Sequence, residues 1–147
     1  MKTLFDNEKP KDTAIVYFDG ACQPNPGRGA WKYLIIFQDL GYSLPAKGVL
    51  AGKSTNQIAE YTGLIASLNR CIGLGVKNIS IFGDSKLVVQ QVNGLWRVKA
   101  EHLKTLWEIC INLAKNFDYF SLTWIPREDN IDAEDVIRTI SRSNLGE

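Results

Sequence analysis

The sequence has few of the residues that indicate metal-thiolate, redox or membrane proteins. It has one histidine and three cysteines, and no cysteine pair has CxxC spacing, so neither a zinc site nor a thiol redox centre is indicated. Cys71 and Cys110 fall at apolar positions of predicted helices, which favours buried side chains. No apolar run approaches the roughly 20 residues that a membrane helix needs. These absences favour a protein without thiolate metal chemistry that does not span a membrane.

An excess of charge of one sign is also lacking, since 17 basic and 16 acidic residues give a net charge of +1. A nucleic-acid partner would have to be held by local basic groups and by metal ions rather than by a positive field over the whole molecule. The 147 residues fit one domain. We expect a flexible tail over residues 1–13, a domain over 14–142 and a short tail over 143–147. The polar start has no signal-peptide core, so we expect a cytoplasmic protein.

Hydrophobic patterning predicts five strands and four helices in the order β-β-β-α-β-α-α-β-α. The predicted strands cover residues 14–19, 30–37, 42–51, 76–83 and 119–125, with a turn over 23–29. The predicted helices begin at 55, 85, 99 and 130, and the first carries an apolar stripe of Ile58, Tyr61, Ile65, Leu68 and Ile72. Short connections between the first three strands favour antiparallel hairpins. The sequence therefore predicts an α/β fold with a five-stranded mixed sheet, antiparallel hairpins followed by parallel strands, flanked by helices.

Three acidic residues fall where such a fold would bring them together. Asp19 ends the first predicted strand, Asp84 ends the fourth, and Glu60 lies in the second turn of the first helix beside its apolar stripe. Parallel neighbouring strands bring their carboxyl ends to one edge of the sheet, where ligands bind. Each acid alone is more typical of a turn, a cap or a favourable helix-dipole contact. Together they indicate a site for a hard cation such as Mg²⁺, which prefers oxygen ligands.

Four ordered segments resemble the successive signatures of type 1 ribonuclease H, in the short archaeal and bacterial branch of the ribonuclease H-like superfamily. They read YFDGACQPNPGRGAWKY, STNQIAEYTGLIASL, IFGDSKLVVQQVNG and WIPREDNIDAEDV, and the likeness runs from about residue 14 to 141. The resemblance implies the ribonuclease H fold and an endonuclease that cuts the RNA strand of an RNA–DNA hybrid. It implies two Mg²⁺ or Mn²⁺ ions held by four acids, with 3′-hydroxyl and 5′-phosphate products. Asp19, Glu60 and Asp84 match the first three acids.

The fourth acidic position departs from the family pattern. An Asp is expected where this chain has Glu134, and Asp135 follows it. We favour Glu134 as the fourth catalytic, metal-binding carboxylate, although its extra methylene would shift or weaken the second metal. Asp135 is the alternate, turned about 100° around the predicted helix. A third reading is that the position is lost and the segment is a solvated acidic helix start.

The same resemblance implies substrate contacts. Asn56 and Gln57 match positions that contact the hybrid backbone, although Asn56 could be a helix cap. The small residues after the acids, including Ser85, would admit a ligand backbone, and main-chain groups would meet 2′-hydroxyls. Trp96, Arg97 and Lys99 suit the DNA strand, although Trp96 could pack a turn. The substrate-binding residues expected in this way are Gly20, Ala21, Cys22, Gln23, Asn56, Gln57, Ser85, Trp96, Arg97 and Lys99, with Lys104 nearby.

The loop after the fifth predicted strand has no histidine, which many family members carry there. Arg127 could meet a phosphate or pair with Glu128 or Asp129, and Glu128 could assist product release. Two rival functions also stay open. One is a nucleic-acid-binding module on the same fold that does not cut, and the other is cleavage of double-stranded RNA or of a junction. We expect a monomer that binds no membrane.

Overall fold

A computed structural model describes residues 12–131 of the chain. Five strands are described: β1 (Thr13–Gln23), β2 (Gly27–Phe37), β3 (Tyr42–Ser54), β4 (Asn78–Gly83) and β5 (Tyr119–Trp124). Three α-helices are described: α1 (Asn56–Gly73), α2 (Lys86–Val92) and α3 (Glu101–Ala114). Short 3₁₀ turns cover Gln38–Leu40 and Arg127–Asp129. No helix of this described part is long and apolar enough to cross a membrane.

The five strands form one mixed sheet in the order β3-β2-β1-β4-β5. β1 pairs antiparallel with β2, and β2 pairs antiparallel with β3. β4 runs parallel to both β1 and β5. The predicted mixed sheet and its antiparallel hairpins are confirmed. The last predicted helix lies outside the described residues except for Asn130 and Ile131, which are not helical.

The core forms where α1 packs on the centre of the sheet. Val16 and Phe18 of β1 are fully buried, because alternate residues of this strand point to one face. Leu64 and Leu68 of α1 are also fully buried in the same cluster, and burying a leucine side chain contributes about 1.5–3 kcal/mol. The predicted burial of Cys71 and Cys110 is confirmed. The core therefore fixes α1 against β1, the strand that carries the first acid.

Helix caps set where the two site helices begin. The Thr55 hydroxyl accepts a hydrogen bond from the Ile58 N–H at 3.2 Å and starts α1. The Ser85 hydroxyl accepts one from the Val88 N–H at 3.3 Å and starts α2 directly after β4. Asp84 therefore lies in the short connection between β4 and the capped start of α2.

Candidate active site

Three carboxylates gather at one edge of the central strands. Asp19 comes from β1, Glu60 from the second turn of α1 and Asp84 from the residue after β4. One oxygen of each lies within 4.8 Å of the other two. Asp19 and Glu60 are 3% and 7% exposed. The acids that the sequence selected from three separate segments thus form one cluster.

The prediction that Asp19 ends the first strand is wrong. β1 continues to Gln23, because residues 20–23 remain paired with β2. The parallel pairing with β4 stops earlier, at the pair Tyr17 and Phe82. Asp19 therefore lies beyond the end of the parallel ladder although it is inside a strand, which is why it still meets Asp84. The predicted turn over 23–29 is shorter for the same reason, since β2 already begins at Gly27.

Glu60 lies in an environment that disfavours its charge. Burial raises the pKa of its carboxyl well above the usual range, and the charges of Asp19 and Asp84 and a hydrogen bond with Asp19 raise it further. The Arg127 guanidinium opposes this shift. Within the described part of the chain, the buried Oε2 of Glu60 has no hydrogen-bond partner. A carboxylate in this position needs either a proton or a bound cation to offset its charge.

The donor set fits a divalent cation. Three carboxylate oxygens from three elements converge, and the buried Oε2 of Glu60 has no hydrogen-bond partner in the described structure. Hard cations take oxygen ligands of this kind and neutralise repulsion between the acids. Asp19, Glu60 and Asp84 are therefore the described residues that would hold a metal ion. Glu134 and its alternate Asp135 lie outside the described residues.

Asp84 is tethered at both its backbone and its side chain. The Asn130 side-chain amide donates to Asp84 Oδ2 at 3.1 Å and to the Phe18 carbonyl at 2.9 Å. The Trp124 indole N–H donates to the Asp84 carbonyl at 3.1 Å. These contacts fix the segment after β5 against β1 and orient the third acid. Neither Asn130 nor Trp124 was among the predicted site residues, although Asn130 stands in the fourth signature.

Beside the acids is a cleft of about 190 Å³. Its lining residues are Asp19, Gly20, Ala21, Cys22, Gln23, Asn56, Glu60, Asp84 and Arg127. Five of the predicted substrate-binding residues, Gly20 to Gln23 and Asn56, therefore line the cleft, whereas Gln57 and Ser85 do not. Ser85 instead caps α2.

Asn56 is not the cap of α1. Its side-chain oxygen accepts a hydrogen bond from the Cys22 N–H at 2.8 Å, while Thr55 caps the helix. The Asn56 N–H in turn donates to the Asn25 side chain at 3.1 Å. These bonds join the start of α1 to the end of β1 and to the β1–β2 turn, and so hold the rim of the cleft.

A second groove of about 400 Å³ lies beside α2 and α3. It is lined by Gln91, Gly94, Trp96, Arg97, Val98, Lys104 and Trp107. Trp96 is 45% exposed, which speaks against the alternative that it only packs a turn. Lys99, a predicted contact, is not in this lining, and Lys104 is. The groove combines aromatic and basic side chains in one place.

Arg127 is the cationic side chain that lines the acidic cleft. The sequence left open whether it meets a phosphate or forms a surface ion pair. In the structure its charge acts on Glu60, whose pKa it lowers. Arg127 therefore offsets part of the negative charge that gathers in the cleft.

A sequence profile described as Reverse transcriptase-like matches residues 17–138. The chain is 34% identical over 120 residues to the bifunctional protein Rv2228c of Mycobacterium tuberculosis, which covers 82% of this chain and 33% of that protein. It is 36% identical over 114 residues to ribonuclease HI of Halobacterium salinarum, which covers 78% of this chain and 57% of the relative. The chain thus spans between a third and three fifths of the length of these curated relatives.

Solved structures show the same fold. The N-terminal ribonuclease H domain of Rv2228c superposes with a TM-score of 0.83 at 32% identity, over 90% of this chain and 98% of that one. LC11-RNase H1, solved in complex with an RNA/DNA hybrid, superposes with a TM-score of 0.75 at 27% identity, over 83% and 91% of the two chains. The structural similarity therefore extends over more than four fifths of this chain in both comparisons.

Proposed function

The chain belongs to the Reverse transcriptase-like family, among the type 1 ribonucleases H, and on this premise we propose that it hydrolyses the RNA strand of RNA–DNA hybrids. One observation supports the proposal above all others. One carboxylate oxygen of each of Asp19, Glu60 and Asp84 lies within 4.8 Å of the other two. In addition, the buried Oε2 of Glu60 has no hydrogen-bond partner in the described structure. Such a cluster suits divalent metal ions beside a phosphodiester.

The proposed mechanism is metal-dependent hydrolysis with no nucleophilic side chain. Asp19, Glu60 and Asp84 would hold two Mg²⁺ or Mn²⁺ ions, and Asn130 keeps the Asp84 carboxylate in place through the hydrogen bond to Oδ2. The bound ions would supply a water of lowered pKa and charge stabilisation of the leaving 3′-oxygen, and hydrolysis would leave 3′-hydroxyl and 5′-phosphate ends. We propose Glu134 as the fourth carboxylate, with Asp135 as its alternate.

Discrimination of RNA from DNA falls to the rim of the cleft. Residues 20–23 line it, so a ribose bound in the cleft lies against this segment. A 2′-hydroxyl both donates and accepts hydrogen bonds and is the group that distinguishes the two nucleic acids. Arg127, which also lines the cleft, binds a backbone phosphate. Because these contacts involve sugar and phosphate, little sequence preference is expected.

The aromatic and basic groove beside α2 and α3 binds the DNA strand. Stacking on exposed Trp96 and phosphate contacts from Arg97 and Lys104 suit a strand whose sequence is not read. Gln57, Ser85 and Lys99 line neither the cleft nor the groove, and their contacts with the substrate remain predictions. A monomer in the cytoplasm stays a prediction from the sequence.

The decisive experiment compares wild-type protein with Asp19→Asn and Asp84→Asn. The substrates are a labelled RNA–DNA hybrid, an RNA duplex and a DNA duplex, each with Mg²⁺ and with Mn²⁺. We expect wild-type protein to cut only the RNA strand of the hybrid, and each variant to lose at least about 10²-fold of this activity with its circular dichroism spectrum unchanged. Asp118→Asn, which changes an exposed acid at the far end of β5, is the matched control.

Wild-type turnover in either variant would remove that acid from the mechanism. Hybrid binding by wild-type protein without products in either metal would indicate a binding module instead of a nuclease. Preferential cleavage of the RNA duplex would identify a different substrate class on the same catalytic site.

A further inference from the structure

A large aromatic side chain is left partly open to solvent directly beside the acid cluster. Trp124 is the last residue of β5 and is 43% exposed. Its indole N–H donates to the Asp84 carbonyl, so the orientation of the ring is set by the residue that carries the third carboxylate. The ring therefore presents an apolar surface at a fixed position next to the proposed reaction site.

A lysine lies against this ring. The Lys86 ammonium is 5.5 Å from the centroid of Trp124, within the range of a cation–π contact. Lys86 is the first residue of α2 and is exposed, two positions after Asp84. We call Lys86 and Trp124 together the Lys86–Trp124 ledge. It combines a positive charge and a flat apolar surface, the two features that hold a nucleic-acid strand without reading its sequence.

We propose that the Lys86–Trp124 ledge binds the RNA strand next to the phosphate that is cut, with Lys86 on a neighbouring phosphate and the Trp124 ring against a sugar or base. The inference rests on the proposed function and extends it to two residues outside the cleft and the DNA-strand groove. It assigns to the ledge a part of the affinity for the hybrid.

The positive charge of the Lys86–Trp124 ledge can offset the repulsion between the acid cluster and a nucleic-acid backbone. Three clustered carboxylates repel a polyanion, and the net charge of the protein, at +1, provides no general attraction. A backbone that reaches the acids therefore needs cations close to them. Arg127 is one such cation in the cleft lining, and Lys86, two residues from Asp84, is a second on a different element. An exposed cation–π contact is weak, so Lys86 can turn from the ring to a phosphate at little cost.

The test measures hybrid binding and cleavage separately. Binding of a fluorescently labelled RNA–DNA hybrid is measured by anisotropy in EDTA, at several KCl concentrations, for wild-type protein, Lys86→Ala, Trp124→Leu and Trp124→Phe. Lys77→Ala is the matched control, because Lys77 is an exposed lysine just before β4, at the opposite end of that strand from Asp84. Mg²⁺-dependent cleavage by wild-type protein is measured in parallel.

We expect Lys86→Ala to weaken binding about fivefold or more at low salt and to lower the salt slope by about one, whereas Lys77→Ala changes neither. Trp124→Leu weakens binding about fivefold or more with little change in slope. Trp124→Phe keeps the ring but not the N–H donor, and retains most of the wild-type affinity.

Two results would overturn the ledge while leaving the proposed function in place. One is cleavage by wild-type protein together with equal binding by Lys86→Ala and Lys77→Ala. The other is equal loss of affinity in Trp124→Phe and Trp124→Leu, which would mean that the indole acts only by holding the Asp84 turn. Failure of wild-type protein to bind and cut the hybrid would overturn both proposals.

Discussion

At the scale of single residues, the repulsion within the acid cluster acts on the ionisation of Glu60. Burial and the nearby Asp19 and Asp84 raise the pKa of this carboxyl well above its usual value. A carboxyl whose folded-state pKa is raised stabilises the protein below its unfolded-state pKa, and this contribution is lost as the pH rises through the folded-state pKa. Without divalent cations, the contribution of Glu60 to the free energy of unfolding therefore falls as the pH rises from about the normal glutamate pKa through that raised value.

The first prediction concerns Glu60→Gln in EDTA. The neutral amide replaces a carboxyl whose ionisation is disfavoured in the folded state, so we expect the variant to be more stable than wild-type protein by about 1–3 kcal/mol at neutral pH. The advantage shrinks as the pH falls, because Glu60 of the wild-type protein then becomes protonated. Urea unfolding between pH 4 and 8 measures the difference. Saturating Mg²⁺ reverses the order, since it stabilises the wild-type protein more.

Glu108→Gln is the control for this series, because Glu108 is an exposed residue of α3. It is expected to leave the stability within about 0.5 kcal/mol at each pH. If Glu60→Gln protein is less stable than wild-type protein at neutral pH in EDTA, the protein itself stabilises the Glu60 carboxyl and no metal ion is needed to offset its burial.

The second prediction concerns the tether on Asp84. Asn130→Ala removes the hydrogen bond to Asp84 Oδ2 and the one to the Phe18 carbonyl. Partners that orient a metal ligand typically contribute 10–100-fold to metal affinity, so we expect Mn²⁺ binding measured by calorimetry to weaken by about 10-fold or more. The lost contacts also cost about 1 kcal/mol of stability.

Asn93→Ala is matched to this change, because the Asn93 amide also donates to a backbone carbonyl, that of Leu122 at 2.9 Å. It should lower stability by a similar amount and leave the metal affinity unchanged. Equal metal affinities in the two alanine variants would exclude a positioning role for Asn130.

The sequence identified the acids but not the groups that orient them. Asp19, Glu60 and Asp84 stand in short segments whose local pattern predicts a strand or the first turns of a helix, although the predicted end of the first strand at Asp19 was wrong. Asn130 reaches back 112 residues to Phe18 and 46 residues to Asp84. Such contacts depend on the path of the chain after β5, which local patterning does not determine. Trp124 and Lys86 were not among the predicted contacts either, because their contact depends on β5 lying beside β4.

At the scale of the elements, the site depends on how closely α1 approaches β1. The predicted stripe of α1 was only partly correct. Tyr61 and Leu68 are fully buried, whereas Ile58, Ile65 and Ile72 are only partly buried, and Leu64 and Cys71 complete the buried face. Ala59, Gly63 and Ser67 are buried as well. Small residues at the contact let the backbones approach, and a search for large apolar side chains cannot detect them.

The third prediction tests whether the site depends on the close contact between the backbones of α1 and β1. A β-carbon added at Gly20 would lie 2.2 Å from the Ala59 carbonyl carbon, which is backbone and has no rotamer to escape into. Gly20→Ala must push α1 away from β1, and Glu60 moves with it. We expect a loss of about 1–3 kcal/mol in the free energy of unfolding. Metal binding weakens as well, because Glu60 and Asp19 separate.

The control is Gly73→Ala at the other end of α1, where an added β-carbon meets nothing within 4 Å. It is expected to raise stability by about 0.5–1 kcal/mol, because alanine is the better helix residue, and to leave metal binding unchanged. A Gly20→Ala protein with wild-type stability and metal affinity would show that α1 can shift without disturbing the cluster.

At the scale of the whole molecule, function depends on where the charges lie, since their sum is only +1. Composition gives the small net charge, but it could not show how the basic side chains group. In the structure Arg97 and Lys104 share one groove with two tryptophans, although Lys104 also lies 3.3 Å from the exposed Glu101. That surface ion pair contributes little and does not prevent Lys104 from meeting a phosphate.

The fourth prediction distinguishes the effect of the charges in the groove on hybrid binding from the effect of the net charge of the protein. Replacing both Arg97 and Lys104 by alanine removes two charges from the groove, and replacing both Lys77 and Lys115 by alanine removes two exposed charges outside either cavity lining. Each phosphate contact contributes about 0.9 to the slope of log K against log salt for duplex DNA. We therefore expect the groove variant to lose nearly two units of slope in hybrid binding, and the distant variant to keep the wild-type slope. Because both variants have the same net charge, equal slopes would mean that the hybrid responds to total charge and that the groove is not its binding surface.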